Sequence, residues 1–226
     1  MERKVPFVQG EYYHLYNRGV DKRTIFLNNY DYNRFVLLLH VLNTSQNLKI
    51  RDLLKDNSFE NLFEIKNDDP IVAIGAYCLM PNHFHLLITP LVEGGVSRFM
   101  LKLQTAYSMY FNAKNDRNGA LFQGPFKSQY LNTDEYLRYI YSYIHLNPAK
   151  LKDKNWKEYG PKDFQSLKNF ILSYKYSSIG EYIHENFIIV NTSAFPDYKS
   201  EVVSKDDYFK TMIDDWLTYQ TQGNPV

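Results

Sequence analysis

The chain has 226 residues, 44% hydrophobic and 23% charged, the profile of a soluble globular protein with one sizeable core and room for an appendage. Its one cysteine, Cys78, excludes an internal disulfide, and its apolar surroundings make it a core residue in a reducing compartment. Met1 to Pro6 lack the apolar stretch of a signal peptide and no segment reaches transmembrane length, so a cytoplasmic protein with no membrane partner is expected.

The net charge of +1 does not announce a nucleic-acid binder, but its distribution is uneven. Residues 181–226 hold eight acids against three bases, and the first 180 hold 23 bases against 17 acids. Residues 98–130 carry Arg98, Lys102, Lys114, Arg117 and Lys127 against Asp116 alone. A basic body beside an acidic C-terminal segment suits phosphate backbones, although solvated lysines give the same arithmetic. Twenty tyrosines and fifteen phenylalanines supply faces on which unpaired bases stack, and most of these rings must also pack a core.

In chain order, Tyr12 to Arg18 alternates as a strand ended by Gly19. Asn29 to Leu42 has helical apolar spacing, and residues 45–70 read as a loop with short elements. Ile71 to Leu79 and His83 to Thr89 form two strands joined tightly through Met80-Pro81-Asn82. A helix follows from about Val96 to Asn115, then a strand over Leu121 to Leu131 broken by Gly124-Pro125. Thr133-Asp134-Glu135 starts a helix that runs to His145 or Asn147, where Pro148 ends or kinks it. Phe164 to Tyr174 and Lys205 to Tyr219 are further helices. This order predicts an α+β fold with an antiparallel sheet and helices on one face.

Chemistry concentrates in His83-Phe84-His85. Residues i and i+2 of a strand share a face, so both imidazoles project together and Phe84 points away. Paired neutral imidazoles are half of a divalent-metal site, while two hydrogen-bonded histidines on a half-buried sheet are the structural alternative. Tyr143 and Asn147 lie four residues apart, on one helix face if the helix persists that far.

With these residues in place, the chain resembles the HUH single-tyrosine transposases, and most closely the REP-associated tyrosine transposases. The similarity rests on Tyr13-His14-Leu15-Tyr16-Asn17-Arg18-Gly19, Ile25-Phe26, Met80-Pro81-Asn82-His83, Leu121-Phe122-Gln123, Tyr143 to Asn147-Pro148 with Lys150, and Tyr176-Ser177-Ser178. In that family a His-apolar-His strand supplies two metal ligands. A tyrosine roughly sixty residues later is the nucleophile, and a polar side chain four residues beyond it is a third ligand. The resemblance therefore implies Tyr143 as nucleophile, His83, His85 and Asn147 as ligands of Mg²⁺ or Mn²⁺, and a ferredoxin-like sheet. It also implies single-stranded or hairpin DNA as partner and a 5′-phosphotyrosine intermediate. Insertion-sequence relatives dimerise and REP-associated members can be monomeric, so a homodimer is one expectation. The similarity spans about residues 8–182, leaving 183–226 as an acidic extension of unassigned role.

Tyr139, Tyr136 and Tyr141 are rival nucleophiles, and aromatic packing is the alternative for all four tyrosines. His14 lies on another strand within reach of the pair, whereas His145, His40 and His184 read as structural or surface residues. Gln123 suits either DNA contact or a turn. Arg18, Lys22, Arg23, Lys102, Lys114, Arg117 and Lys127 are the candidate phosphate contacts, which together predict salt-sensitive binding. Two other functions stay open: a domesticated hairpin-binding protein that no longer cuts, and a metal-dependent phosphoesterase that activates water.

Overall fold

The computed structural model describes residues 6–198 and 204–221; the start of the chain and part of the acidic segment, including Lys199 and Glu201, lie outside the described residues. Four strands, β1 (Tyr12–Arg18), β2 (Val72–Met80), β3 (His83–Pro90) and β4 (Lys127–Leu131), pair antiparallel in the order β2-β3-β1-β4. Helix α1 (Asn29–Val41) connects β1 to β2, with the short α2 (Ile50–Asp56) and α3 (Phe59–Glu64) after it, and α4 (Gly95–Lys114) connects β3 to β4. This is the β-α-β-β-α-β arrangement of ferredoxin-like folds. Strand β4 is shorter than expected: Leu121 and Phe122 precede it in a loop, tied to Gly19 by a single bridge.

Alternation sorts the sheet into two faces. Tyr13, Leu15, Phe84, Leu86 and Ile88 face α1 and α4, meeting Phe35, Leu38, Phe99, Leu103 and Tyr107 in a dry core. Within the β-α-β-β-α-β unit the helices do cover one face. The other face is covered too, by α5 (Asp134–Leu146), α8 (Phe164–Leu172), α9 (Ile179–His184) and α10 (Lys205–Thr221), with the single turns α6 (Ala149–Lys152) and α7 (Trp156–Tyr159) between. The cause is legible in β2, which is buried at all nine positions and so needs apolar partners on both sides. Each fully buried Leu or Phe contributes about 1.5–3 kcal/mol. Exposed ion pairs such as Lys66–Asp68 contribute little, so apolar packing sets the layers.

Local chemistry fixes the helix starts. Asn28 and Asp31 form a capping box at α1, and the Asp31 carboxylate also accepts from the Leu27 N–H at 2.8 Å. Burial acts to raise the Asp31 pKa, but bonds from Lys114 (2.5 Å) and Tyr110 (2.6 Å) outweigh it and hold the group below its usual value. At α5, the Thr133 hydroxyl accepts from the Tyr136 N–H.

Three contacts seat α5 on the sheet. Its apolar stripe, Leu137, Ile140 and Ile144, packs with Ala73, Ala76 and Leu87. His145 Nε2 lies 2.8 Å from Ser178 Oγ, which in turn accepts from the Tyr77 N–H of β2 at 2.9 Å. Gly75, at the β2 irregularity, lets α5 approach: a methyl group there would sit 2.7 Å from Tyr141 Oη and 2.8 Å from the Phe195 ring. Pro148 does not break the path. Asn147 (φ −54°, ψ −41°) and Pro148 (φ −59°, ψ −21°) are both helical, since the fixed φ of proline suits the start of α6.

Two expectations follow. Gly75→Ala should force α5 off β2, costing about 1–3 kcal/mol by overpacking, which a shifted denaturation midpoint would reveal; an unchanged midpoint would refute the close approach. For His145, burial pushes the pKa from 6.5 to about 3. The unfolded chain therefore binds a proton that the folded one refuses, and stability present above pH 6.5 is lost as pH falls toward 3. The slope is at most about 1.4 kcal/mol per pH unit. Half-buried Glu181 and Asp215, with raised pKa values, work in the opposite direction. Comparing wild type with His145→Gln isolates the histidine: the loss between pH 7 and 5 should shrink in the variant, and an equal loss would contradict the assignment.

Candidate active site

The polar end of the α5-covered face is built by strand register. Tyr16 stands opposite His85 and Arg18 opposite His83 across β1 and β3. On the other side of β1, Lys127 stands opposite Tyr16 and Gln129 opposite His14. Helix α5 lays Tyr139, Ile140 and Tyr143 over these side chains and, with Asn147 and Lys150 just beyond it, closes a cavity of about 550 Å³. His83 and His85 have ring centroids 5.0 Å apart, as their shared strand face predicted. The Tyr143 ring lies 5.4 Å from His85 and 5.8 Å from His14, edge-on to both. His14 therefore does reach the pair, with its Nε2 2.9 Å from His85 Nδ1.

The donor atoms suit a divalent ion. Asn82 Nδ2 donates to the Lys22 carbonyl at 3.0 Å, which turns its oxygen toward His83 Nδ1 at 2.6 Å. His83 thus carries its proton on Nδ1 and keeps the Nε2 lone pair. Burial, aided by the Arg18 and Lys150 charges, pushes the His83 pKa to about 4. His85 lies well below its usual value through burial and then the neighbouring histidines. Both are neutral near pH 7, the form that binds metals. Asn147, 5% exposed, donates from Nδ2 to the Tyr143 carbonyl at 3.0 Å, leaving Oδ1 as its remaining donor atom. Among the described residues no three His, Cys, Asp or Glu side chains are grouped to hold a metal, so any third protein ligand beside the two histidines would be of another kind. A carboxamide oxygen meets that need.

The tyrosines differ in their surroundings. Tyr143 is half-buried; burial raises its pKa, and the hydrogen bond from Asn147 and the charge of Arg18 oppose the rise. Tyr139 is 2% exposed, stacks on Tyr219 at 4.2 Å, accepts from Gln220, and is pushed up to about 12, chiefly by burial. Tyr136 stacks on Tyr219 as well, and Tyr141 turns toward Tyr182 and Phe195 on the other side of the helix. The Lys157 ammonium sits 4.7 Å from the Tyr143 ring centre and 5.4 Å from that of Trp216, and burial lowers its pKa to about 8.

The charged side chains lining the cavity, Arg18, Lys127 and Lys150, are all cations. Gln123 lines it as well. Lys22 and Arg23 lie in and after the 3₁₀ turn beside the His83 end of the sheet, where the Gly19 N–H donates to the Asn82 carbonyl. Three expected phosphate contacts are engaged elsewhere. Lys102 donates to the Thr44 and Gln46 carbonyls at 2.7 and 2.6 Å, and Lys114 neutralises buried Asp31. Arg117 bonds Asn112 at 2.5 Å. Withdrawing Lys114 would strand a buried carboxylate, at about 3–5 kcal/mol, so it is not free for phosphate. Lys102 and Lys114 also lie on α4, across the sheet from the cavity.

Sequence reasoning missed four residues here. Tyr16 and Gln129 were accessible through alternation from His14 once the β1–β4 register is known. Asn17, whose Nδ2 donates to the Gly124 carbonyl, stood in the Tyr13 to Gly19 segment of the resemblance without an assigned role, and Lys157 gave no local signal.

A solved structure described as a REP-associated tyrosine transposase bound to a REP hairpin is similar at 13% identity, over 90% of this chain and 98% of that one, with a TM-score of 0.47. No curated protein matches the chain in sequence. The family model described as "Transposase IS200 like" matches residues 8–147, from just before β1 to Asn147 itself. The chain belongs to the IS200-like transposase family.

Proposed function

We propose that the protein nicks and rejoins single-stranded DNA at hairpins through a covalent tyrosine intermediate, with Tyr143 as the nucleophile. The observation that carries this reading is one cavity in which a phenol faces two neutral imidazoles and a carboxamide, ringed by Arg18, Lys127 and Lys150. A wall charged only by cations attracts a phosphodiester and repels cationic substrates. The hairpin preference rests on the sequence resemblance, and we take residues 8–182 as the transposase domain with 183–226 as its extension.

The phenol oxygen of Tyr143 attacks phosphorus and its proton passes to solvent. The bond to the 3′ oxygen breaks, and that oxygen leaves as a 3′-hydroxyl after taking up a proton. One phosphoester replaces another, so rejoining needs no nucleotide. With its pKa raised by burial, the phenol is protonated in the free protein, and Arg18 and Asn147 are the groups that favour its ionised form. His83, His85 and Asn147 would hold Mg²⁺ or Mn²⁺, which supplies Lewis-acid stabilisation of charge at the phosphate. Their set is electrically neutral, so the charge of a bound divalent ion would be left for the phosphate to balance. Arg18 and Lys127 orient the strand.

Incubating the protein with hairpin-bearing single-stranded DNA and Mn²⁺ should yield a covalent adduct. Tyr143→Phe should abolish it, whereas Tyr139→Phe and Tyr16→Phe should retain it. An adduct with Tyr143→Phe would sink the assignment, and retention of the hairpin without any adduct would favour the binding-only reading. Binding itself should weaken about 10-fold or more between 50 and 200 mM salt if several phosphates are contacted.

A further inference from the structure

Two of the cavity's hydrogen bonds do nothing for catalysis directly and have a defined chemical consequence. Gln129 Oε1 lies 3.3 Å from His14 Nδ1, and His14 Nε2 lies 2.9 Å from His85 Nδ1. A carboxamide oxygen only accepts, so His14 Nδ1 carries a proton. His14 is 3% exposed, and none of its hydrogen-bonding partners is a carboxylate. Protonating its second nitrogen as well would bury an uncompensated charge, so Nε2 keeps its lone pair. That lone pair needs a donor, and the atom facing it is His85 Nδ1. His85 therefore holds its proton on Nδ1 and its lone pair on Nε2.

We propose that His14 and Gln129 form a relay that sets the tautomer of His85, making His14 a positioning residue that keeps Nε2 of His85 available as a ligand atom. His14 is not itself a ligand here, because its Nε2 is committed to His85. The relay matches by a different route what Asn82 and the Lys22 carbonyl do for His83. Each histidine of the pair then offers the same atom, and neither spends a fraction of its time in the tautomer that cannot bind. This inference rests on the metal-site reading above for its purpose, but the tautomer is a property of the metal-free protein.

The test is long-range ¹H–¹⁵N correlation of the histidine rings in the metal-free chain near pH 7.5. The expected pattern is a protonated Nδ1 and bare Nε2 at His14, His83 and His85. Gln129→Leu and His14→Leu should move His85 toward the Nε2-protonated form that free imidazole side chains favour. Gln129→Asn keeps a neutral carboxamide acceptor and should retain more of the native pattern than Gln129→Leu, which a merely structural loss would not. Mn²⁺ titration, read as paramagnetic broadening of the His83 and His85 rings, should show affinity falling about 10- to 100-fold in the two leucine variants. An Nε2-protonated His85 in the wild type, or leucine variants that leave both tautomer and affinity unchanged, would overturn the relay. Wild-type rings that stay sharp with Mn²⁺ would instead defeat the metal reading, and the tautomer pattern would still decide the relay.

Discussion

Helix α5 lies across the one polar region of an otherwise apolar sheet face, and everything the cavity can do depends on that contact. The helix is held by apolar packing along Leu137, Ile140 and Ile144, by His145 through Ser178 to the backbone of β2, and by the missing side chain at Gly75. None of these groups lines the cavity except Ile140. Together they fix where Tyr143 sits relative to His83 and His85, which come from a strand hydrogen-bonded on both sides. A helix carrying Tyr143 and a central strand carrying His83 and His85 are both rigid supports, so the separation of these side chains is set by packing and not by loop motion. The C-terminal helix adds to this from behind: Tyr219 stacks on Tyr136 and Tyr139, and Trp216 shares the Lys157 ammonium with Tyr143. The acidic segment thus braces the tyrosine helix, and none of its described carboxylates lines the cavity.

The electrostatics of the cavity follow one logic. Its imidazoles are kept neutral by burial and by nearby cations, its phenol is kept protonated by burial, and its fixed charges are positive. Such a site is poorly matched to its own charge until a polyanion enters. Under the proposed function, a phosphate would bring the negative charge that the three basic side chains and a divalent ion call for, which would tie binding to activation.

Much of this was legible in the residues. The His83–His85 pair declared itself by the two-residue period of a strand, and α1, α4, α5 and α10 by helical apolar spacing and polar starts. The resemblance carried Tyr143 and Asn147, and the structure resolved the doubt over Pro148 in favour of continued helical geometry. What the residues did not show was the context of individual side chains. Lys102 and Lys114 look like any basic surface residues in sequence, yet one ties down a loop and the other neutralises a buried carboxylate eighty-three positions away. The second covered face escaped notice because α6, α7 and α9 are too short to show a period, and the β2 run reads as a buried strand without saying what buries it. His14 was identified as a neighbour, but its partner Gln129 lies 115 residues away and is joined to it only by strand register.

The account stands or falls on which side chain bonds to DNA. After reaction with a hairpin-bearing single strand and Mn²⁺, proteolysis and tandem mass spectrometry of the nucleotide-linked peptide locate the modified residue directly. The geometry predicts a 5′-phosphate on the Tyr143 oxygen within the peptide that spans Tyr139 to Lys150. A phosphate on Tyr139 or Tyr16, or nicked DNA with no linked peptide at all, would contradict it.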